Sequence, residues 1–323
     1  MPPVSPTSAC ASRTELIRGS RNLRPEHCGN VVTIGAFDGV HLGHQAIMQQ
    51  VVQKAGELNL PSLAIIFEPL PREYFQQGVA RIQPFRDKVQ ALFAEGIQRV
   101  LCLRFNKQLS SVPPGEFIHH LLVQGLGTRH LVVGDDFRFG AKRAGDAELL
   151  RSEGLLHGFD VESAATVLLD GERVSSSRIR AALAAGDFEM AERLLGRPFT
   201  ISGRVRAGKQ LGRQLGVRTA NVAMGRQQSP LNGVFAVTVD EGSNLDAHPG
   251  VANIGFRPTV NAVNEALLEV HLLNFSGSLY NRRITVRPCR KLRDEVRFPS
   301  LEALRQQMEK DIQDTCAYFG LQG

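Results

Sequence analysis

Strand-like and helix-like segments alternate from about residue 30 to residue 195, and this rhythm is what most limits the possible folds. Short aliphatic and β-branched runs mark the strands, and longer stretches with apolar residues at helical spacing separate them. This order predicts a doubly wound α/β fold, with a parallel sheet and helices on both faces. The predicted strands are 31–34, 63–67, 100–103, 130–134 and 166–169, and the predicted helices are 43–58, 85–96, 115–124, 144–157, 177–185 and 187–195.

The rhythm changes after residue 199, where short strand-like runs are separated by turns and followed by one helix. Gly196 and Pro198 punctuate the chain at this point. Such spacing predicts an antiparallel barrel or sandwich. The predicted strands are 199–207, 219–224, 233–240, 250–255, 267–275 and 283–288, and the final helix is 300–319. We therefore expect two domains, 14–196 and 198–323.

Length and composition fit this division. A chain of 323 residues suggests about two domains, and 42% hydrophobic with 22% charged residues is ordinary for a globular protein. No apolar run is long enough to span a membrane, and the first twenty residues lack the apolar region of a secretory signal, so we expect a polar extension there. The five cysteines are scattered without a CxxC pair, which argues against a disulfide framework and a zinc site and favours the cytoplasm.

The net charge of +6 admits two interpretations. It suits a nucleic-acid regulator, which would bind in a salt-dependent manner, or an enzyme with a polyphosphate substrate. The chain has no block of five or more basic residues and an aromatic content of only 6%, and no nucleic-acid-binding motif is evident. We therefore expect neither nucleic acid nor a membrane as a partner.

The stretch GAFDGVHLGH (35–44) joins the first predicted strand to the first predicted helix. The first N–H groups of a helix have no partner within it and favour an anion, most often phosphate. Gly35 and Gly39 allow close backbone approach or a positive φ. His41 and His44, at positions i and i+3, share one face of the first turn. The alternative is a glycine-rich turn with two solvent-facing histidines.

Two further motifs accompany this turn. GDDFRFG (134–140) directly follows another predicted strand, so the two turns can meet at one edge of a parallel sheet. VSSSRIR (174–180) opens a helix, where hydroxyls, N–H groups and an arginine suit a phosphate. A plain serine N-cap would look the same.

These three motifs, in this order, resemble the adenylyltransferase module of the bacterial bifunctional riboflavin kinase/FAD synthetases. GRVRAGKQLGRQLGVRTANV (203–222) and the segments GVFAV, GVANIGFRPT, LEVHLLNF and LRDEVRFPSLEAL resemble the kinase module of the same family. The likeness covers nearly the whole chain from about residue 14. It implies a Rossmann-like HxGH nucleotidyltransferase fold followed by a mostly antiparallel β-barrel with a C-terminal helix.

For the first half the resemblance implies adenylyl transfer from ATP to FMN, giving FAD and pyrophosphate. It places His41, His44 and Arg180 among the catalytic groups. It leaves open whether Asp136 and Arg138 contact ligands or pair with each other. The implied ATP-binding residues are Gly35, Phe37, Asp38, Gly43, Asp136, Ser175, Ser176 and Ser177, and the implied flavin-binding residues are Phe137 and Arg138.

For the second half the resemblance implies phosphorylation of riboflavin to FMN. Strand periodicity puts Leu268, Val270 and Leu272 on one face and Glu269 and His271 on the other. Glu269 is the implied general base, unless it is an ordinary solvent-facing residue of an amphipathic strand. Thr219 and Asn221 offer hard oxygens to Mg²⁺ carried in with ATP, although turn residues that cap a strand would look the same. The implied ATP-binding residues are Gly203, Gly208, Gly212 and Arg213, and the implied flavin-binding residues are Arg293 and Phe298.

Four positions depart from the family pattern. Leu70 replaces a histidine in the first half; Ala207, Arg218 and Asn281 replace a histidine, a proline and a glycine in the second. Arg218 matters most, because proline would restrict the loop that presents Thr219. An alternative function is therefore an FAD synthetase whose barrel binds flavin but phosphorylates it slowly or not at all.

Overall fold

The computed structural model describes residues 14–76, 79–206, 219–224, 228–241, 247–258 and 264–321. They form two compact units. The first contains the described parts of Met1–Phe37, Gly43–Phe75 and Val89–Val167, and the second those of Asp38–Leu42, Gln76–Lys88 and Leu168–Gly323. The predicted domain limits 14–196 and 198–323 follow the chain instead, and they stay a prediction.

A parallel sheet forms the centre of the first unit. Its strand order is β1-β4-β3-β2-β5-β6, and every neighbouring pair is parallel. The chain order therefore switches direction between β2 and β5, the place where open α/β sheets bind ligands. The predicted α/β fold is confirmed. The strands are β1 (Glu15–Arg18), β2 (Asn30–Ile34), β3 (Ser62–Glu68), β4 (Arg99–Arg104), β5 (Thr128–Gly134) and β6 (Asp160–Ala164).

Helices follow the strands, as the apolar spacing predicts. Asp146 caps the sixth helix by accepting a hydrogen bond from the Leu149 N–H, and Gly158 ends that helix with a φ of 76°. The helices are α1 (Leu42–Leu58), α2 (Pro71–Phe75), α3 (Phe85–Ala94), α4 (Lys107–Ser110), α5 (Pro114–Phe117, continued by a π-helix at Ile118–Gly125), α6 (Ala147–His157), α7 (Ser176–Ala185) and α8 (Phe188–Leu195).

The sequence prediction was wrong at both edges of the sheet. Residues 166–169 are not a sheet strand: Leu168–Leu169 (β7) pairs with Glu172–Arg173 (β8) in a separate hairpin. The sheet strand is instead Asp160–Ala164, whose side chains are mostly exposed, so it lacks an apolar signal. At the opposite edge, Glu15–Arg18 pairs with β4 although a polar extension was expected.

The second unit contains a closed antiparallel barrel, which confirms the barrel prediction. The strand order is β10-β13-β12-β11-β14-β9, and β9 closes the ring by pairing with β10. Fully buried aliphatic side chains fill it, among them Val222, Ile254, Leu268 and Val270. The strands are β9 (Ile201–Arg206), β10 (Ala220–Ala223), β11 (Gly233–Asp240), β12 (His248–Pro258), β13 (Asn264–Leu272) and β14 (Arg283–Arg293).

The C-terminal helix α9 (Leu301–Phe319) packs against β12 and β11 of the barrel. Its Asp311 is only 3% exposed and accepts hydrogen bonds from Nε and Nη2 of Arg293, at 3.0 and 2.8 Å. A buried carboxylate needs such a partner, so this ion pair fixes the helix on the last strand. Among the described residues, no helix is both long and apolar enough to cross a membrane.

Replacing Asp311 by alanine is expected to lower the free energy of unfolding by about 3 kcal/mol, because a partly buried guanidinium loses its counter-charge. Glu309→Ala is the matched control, since Glu309 lies on the same helix in an exposed pair with Arg305, and exposed pairs contribute about 0–1 kcal/mol. Urea unfolding followed by circular dichroism measures both variants. Equal losses would contradict the assigned role of the pair.

Candidate active sites

Two of the predicted motifs begin at adjacent strands of the sheet. β2 ends at Ile34, just before GAFDGVHLGH, and its neighbour β5 ends at Gly134, the first residue of GDDFRFG. The carboxyl ends of parallel strands lie at the same edge, so both motifs start beside the switch point of the sheet. The predicted strand-to-helix turn at residues 35–44 is confirmed, with α1 beginning at Leu42.

The turn after β2 has an unusual backbone. Phe37, Gly39 and Val40 all have positive φ, of 46°, 91° and 40°. Positive φ is rare outside glycine and is a true outlier for a β-branched residue such as Val40. Gly35 has no room for a side chain, because a Cβ there would lie 2.7 Å from the Phe37 ring. The buried Phe37 thus packs against its own turn.

The carboxylate of Asp38 is buried within the second unit, with 3% exposure of the residue. It accepts hydrogen bonds from the N–H groups of Ile82 and Gln83, at 3.1 and 3.3 Å, and from Nη2 of Arg180, at 2.5 Å. Nε of Arg180 donates to the Ala80 carbonyl at 2.6 Å. Two nitrogens of Arg180 are therefore engaged by the protein, and the predicted contact of this residue with phosphate stays a prediction.

The serines of VSSSRIR have different roles at the start of α7. Ser175 is the N-cap and accepts a hydrogen bond from the Arg178 N–H, as the simpler alternative proposed. Ser176 donates from Oγ to the carbonyl of Asp38 at 2.9 Å. Ser177 lies in the first turn of α7. This helix start is thus tied directly to the turn that follows β2.

A third side chain, which belongs to none of the predicted motifs, also contacts the turn. Arg197 donates from Nη2 to the carbonyl of Gly39 at 2.6 Å and from Nη1 to the carbonyl of Val40 at 3.0 Å. Sequence alone could not identify it, because its partners lie more than 150 positions earlier in the chain.

His41 directly follows Val40 in this turn and is buried. Burial lowers the pKa of His41 from its ordinary value of 6.5 to about 4, and nearby positive charges add to the effect. These charges belong, in decreasing order, to Arg173, Arg197 and Arg180. The imidazole is therefore neutral at pH 7. His44 lies in the first turn of α1, where its ring meets the Phe37 ring edge to face at a centroid distance of 5.2 Å.

GDDFRFG forms a compact turn in the first unit. The rings of Phe137 and Phe139 stack with 5.6 Å between centroids. Arg138 donates from Nη1 to Asp146 at 2.9 Å, and nearly half of its side chain is exposed. Arg138 is therefore paired with Asp146, the N-cap residue of α6. Asp135 accepts a hydrogen bond from the hydroxyl of Thr166.

In the barrel, strand register aligns three polar residues. Glu269 on β13 lies opposite Asn221 on β10 and opposite Asn253 on β12. Opposed residues share one face of a sheet, so the carboxylate lies between two carboxamides. The neighbouring Leu268 and Val270 are fully buried on the other face, which confirms the predicted alternation.

The two carboxamides have buried oxygens. In the part of the chain that the structure describes, no group donates a hydrogen bond to Oδ1 of Asn221 or of Asn253. A buried acceptor without a donor is costly, so these two oxygens are candidate ligand-binding atoms. Asn253 was not predicted from the sequence, because its position beside Glu269 depends on strand register.

Three of the remaining predicted kinase residues lie among the described residues: Gly203, Arg293 and Phe298. Arg293 lies over the Phe298 ring, with Cζ 5.5 Å from the centroid, while it also binds Asp311. Gly203 lies in β9 and pairs with Ile284. The others lie outside the described residues; they are Gly208, Gly212 and Arg213, together with the substituted positions Ala207 and Arg218.

Two of the departures from the family pattern have a clear structural setting. Asn281 has a φ of 63°, a conformation that glycine adopts freely and that asparagine tolerates better than most residues. Leu70 is only 3% exposed and its N–H donates to Glu73 at 3.0 Å. Its side chain is thus part of the apolar interior.

A turn that leads from a parallel sheet into a helix N-terminus, and a carboxylate between two amides on a barrel, are together compatible with a transferase. A family model described as FAD synthetase matches residues 23–178, and one described as riboflavin kinase matches residues 195–319. The chain belongs to the family of bifunctional riboflavin kinase/FMN adenylyltransferases.

Curated relatives with that name support the assignment. The chain is 54% identical to the one from Pseudomonas fluorescens, over 92% of this chain and 96% of the relative. It is 46% identical to the one from Escherichia coli K12, over 95% and 98%. A solved structure, described as a macrolide-efflux protein from Streptococcus pneumoniae, is 27% identical with a TM-score of 0.75 and covers 94% of this chain and 98% of its own.

The lowered pKa of His41 predicts a pH dependence of stability. Between pH 4 and 6.5 the unfolded state holds a proton on His41 that the folded state does not, so stability rises with pH across this window. In the His41→Gln variant this contribution is absent. Urea unfolding of both proteins at several pH values should show the wild type losing stability relative to the variant as the pH falls. A constant difference would contradict the neutral state of His41.

Proposed function

We propose that this enzyme makes FAD in two steps: it phosphorylates riboflavin to FMN with one ATP, and it transfers AMP from a second ATP to FMN, releasing pyrophosphate. The presence of both matched domains on one chain carries the proposal. The small molecules riboflavin, FMN and ATP are its partners. The scattered cysteines and the nucleotide substrates point to the cytoplasm as its compartment.

For adenylyl transfer, an oxygen of the FMN phosphate attacks the α-phosphorus of ATP, and the bond to the β-phosphate oxygen breaks. The attacking oxygen already carries charge, so the protein mainly aligns the reactants and stabilises the developing charge. Neutral His41 donates a hydrogen bond to a phosphate oxygen, with His44 on the same helix end. The N-terminus of α7, at Ser177, holds the leaving pyrophosphate.

The roles of Asp38 and Arg180 are proposed from their contacts. Their ion pair is buried, so Asp38 is already held by protein donors and holds the turn in place. Arg180 keeps its positive charge near His41, as its effect on that histidine indicates. The exposed Arg138 and the stacked Phe137 are the proposed flavin contacts of this half.

For the kinase step, Glu269 takes the proton from the 5′-hydroxyl of riboflavin as that oxygen attacks the γ-phosphorus of ATP, and ADP leaves. The strand register supports this role, because Asn221 and Asn253, on either side of Glu269, can hold the reacting groups. Arg293 and Phe298 are the proposed flavin contacts. Gly203, with the glycines and arginine of the following segment, is proposed to bind ATP.

The residues beside Glu269 also fit Mg²⁺. The ion prefers oxygen ligands, and the buried Oδ1 of Asn221 has no donor among the described residues. Thr219 lies two positions before Asn221, just ahead of β10, and would supply a second oxygen. When bound, Mg²⁺ would neutralise charge on the ATP phosphates.

The substituted Asn281 is compatible with an active kinase, because its φ suits asparagine. A time course resolved by liquid chromatography tests the proposal as a whole. Purified protein with riboflavin, ATP and Mg²⁺ should accumulate FMN and then FAD, and a parallel reaction started from FMN should form FAD. FAD formed only from FMN would instead select an enzyme with an inactive kinase domain.

The variant Glu269→Gln is expected to lower the rate of riboflavin phosphorylation by about 100-fold or more, because general base catalysis contributes about 10²- to 10⁴-fold. FMN adenylylation should stay within about twofold of the wild type, since another site performs it. Glu302→Gln is the control, as an exposed residue of α9, and it should alter neither rate. Unchanged phosphorylation in Glu269→Gln would contradict the assigned base.

A further inference from the structure

We infer that Arg197 is a positioning residue for adenylyl transfer, which fixes the strained turn ahead of His41. The inference rests on the proposed adenylyl transfer. Arg197 falls within the segment matched by the riboflavin kinase model and outside the one matched by the FAD synthetase model. A residue of the segment matched by the riboflavin kinase model would thus affect adenylyl transfer, the reaction assigned to the segment matched by the FAD synthetase model.

The contacts of Arg197 suit this role. Its Nη2 and Nη1 donate to two successive carbonyls, those of Gly39 and Val40, at 2.6 and 3.0 Å. Nη1 also donates to the Leu195 carbonyl at 3.2 Å, which ties the guanidinium to the end of α8. The planar fork of arginine can reach two acceptors at once, whereas a lysine ammonium acts as a point charge.

The turn needs such support, because its backbone is strained. The residues Gly39 and Val40 are buried, with φ values of 91° and 40°. Buried carbonyls require hydrogen-bond donors, and a positive φ at a β-branched residue persists only where the surroundings enforce it. Arg197 supplies donors to both carbonyls. Without it, Val40 can relax toward an ordinary φ.

Relaxation of Val40 would move His41, the next residue in the chain. The other end of the turn is held separately, by Arg180 and the N–H of Ile82 on Asp38. Loss of Arg197 should therefore displace the imidazole without releasing the whole turn. A misplacement of about 1 Å can lower a rate by about 10²-fold.

The experiment compares full-length Arg197→Ala and Arg197→Lys with the wild type in both reactions. Arg197→Ala should lower kcat for FMN adenylylation by about 10- to 100-fold, with a small change in KM for ATP, while riboflavin phosphorylation stays within about twofold. Arg197→Lys should fall between the two. Methylguanidinium in the buffer should restore part of the activity of Arg197→Ala, because it can donate to the same two carbonyls.

Arg193→Ala is the matched control, since Arg193 lies four positions earlier and pairs with Asp170 at the surface; neither reaction should change. Equal losses in both reactions, or no rescue by methylguanidinium, would overturn the inference, because a general loss of folding predicts them. Should Arg197→Ala not fold, Arg197→Lys must still show the selective loss. Wild-type protein that makes no FAD from FMN would refute the proposed function itself. An active wild type with an equally active Arg197→Ala would refute only the role of Arg197.

Discussion

The buried ion pair between Asp38 and Arg180 is the interaction on which the turn at residues 35–44 depends. A carboxylate with 3% exposure is stable only when donors surround it. Here the donors come from distant parts of the chain: the N–H groups of Ile82 and Gln83, and the guanidinium of Arg180 on α7. Three segments must therefore meet before the turn can adopt its backbone conformation, so the turn cannot form from local sequence alone.

The segment that supplies two of these donors also contacts the barrel. Within the second unit, the Arg81 N–H donates to the Gln228 carbonyl at 3.0 Å, and Asp87 accepts from Arg283 of β14 at 2.7 Å. Residues 79–87 thus contact the turn through Ile82 and the barrel through Asp87. This explains why Asp38–Leu42 belong to the same compact unit as the barrel, although they follow a strand of the parallel sheet in the chain.

Local sequence signals predicted the parts of the molecule that depend on periodicity. The location of the turn at 35–44, the barrel and the outward position of Glu269 follow from strand alternation and helix spacing, whereas the backbone conformation of the turn does not. The edge strands were missed, because Glu15–Arg18 is short and Asp160–Ala164 is mostly exposed. Asn253 and Arg197 were missed for another reason: strand register sets the position of Asn253, and the contacts of Arg197 are distant in sequence, so no local pattern encodes either.

The two candidate sites differ in the charges that surround Glu269 and His41. In the barrel, neutral amides flank Glu269, which suits its proposed role as a proton acceptor. At the turn, burial and, to a lesser extent, the charges of nearby arginines lower the pKa of His41 and hold its imidazole neutral. A polyphosphate bound there would oppose those charges, so its arrival should raise the pKa of His41. The arginine charges thus favour the proposed binding of the ATP phosphates, while burial keeps His41 available as a neutral hydrogen-bond donor before the nucleotide arrives.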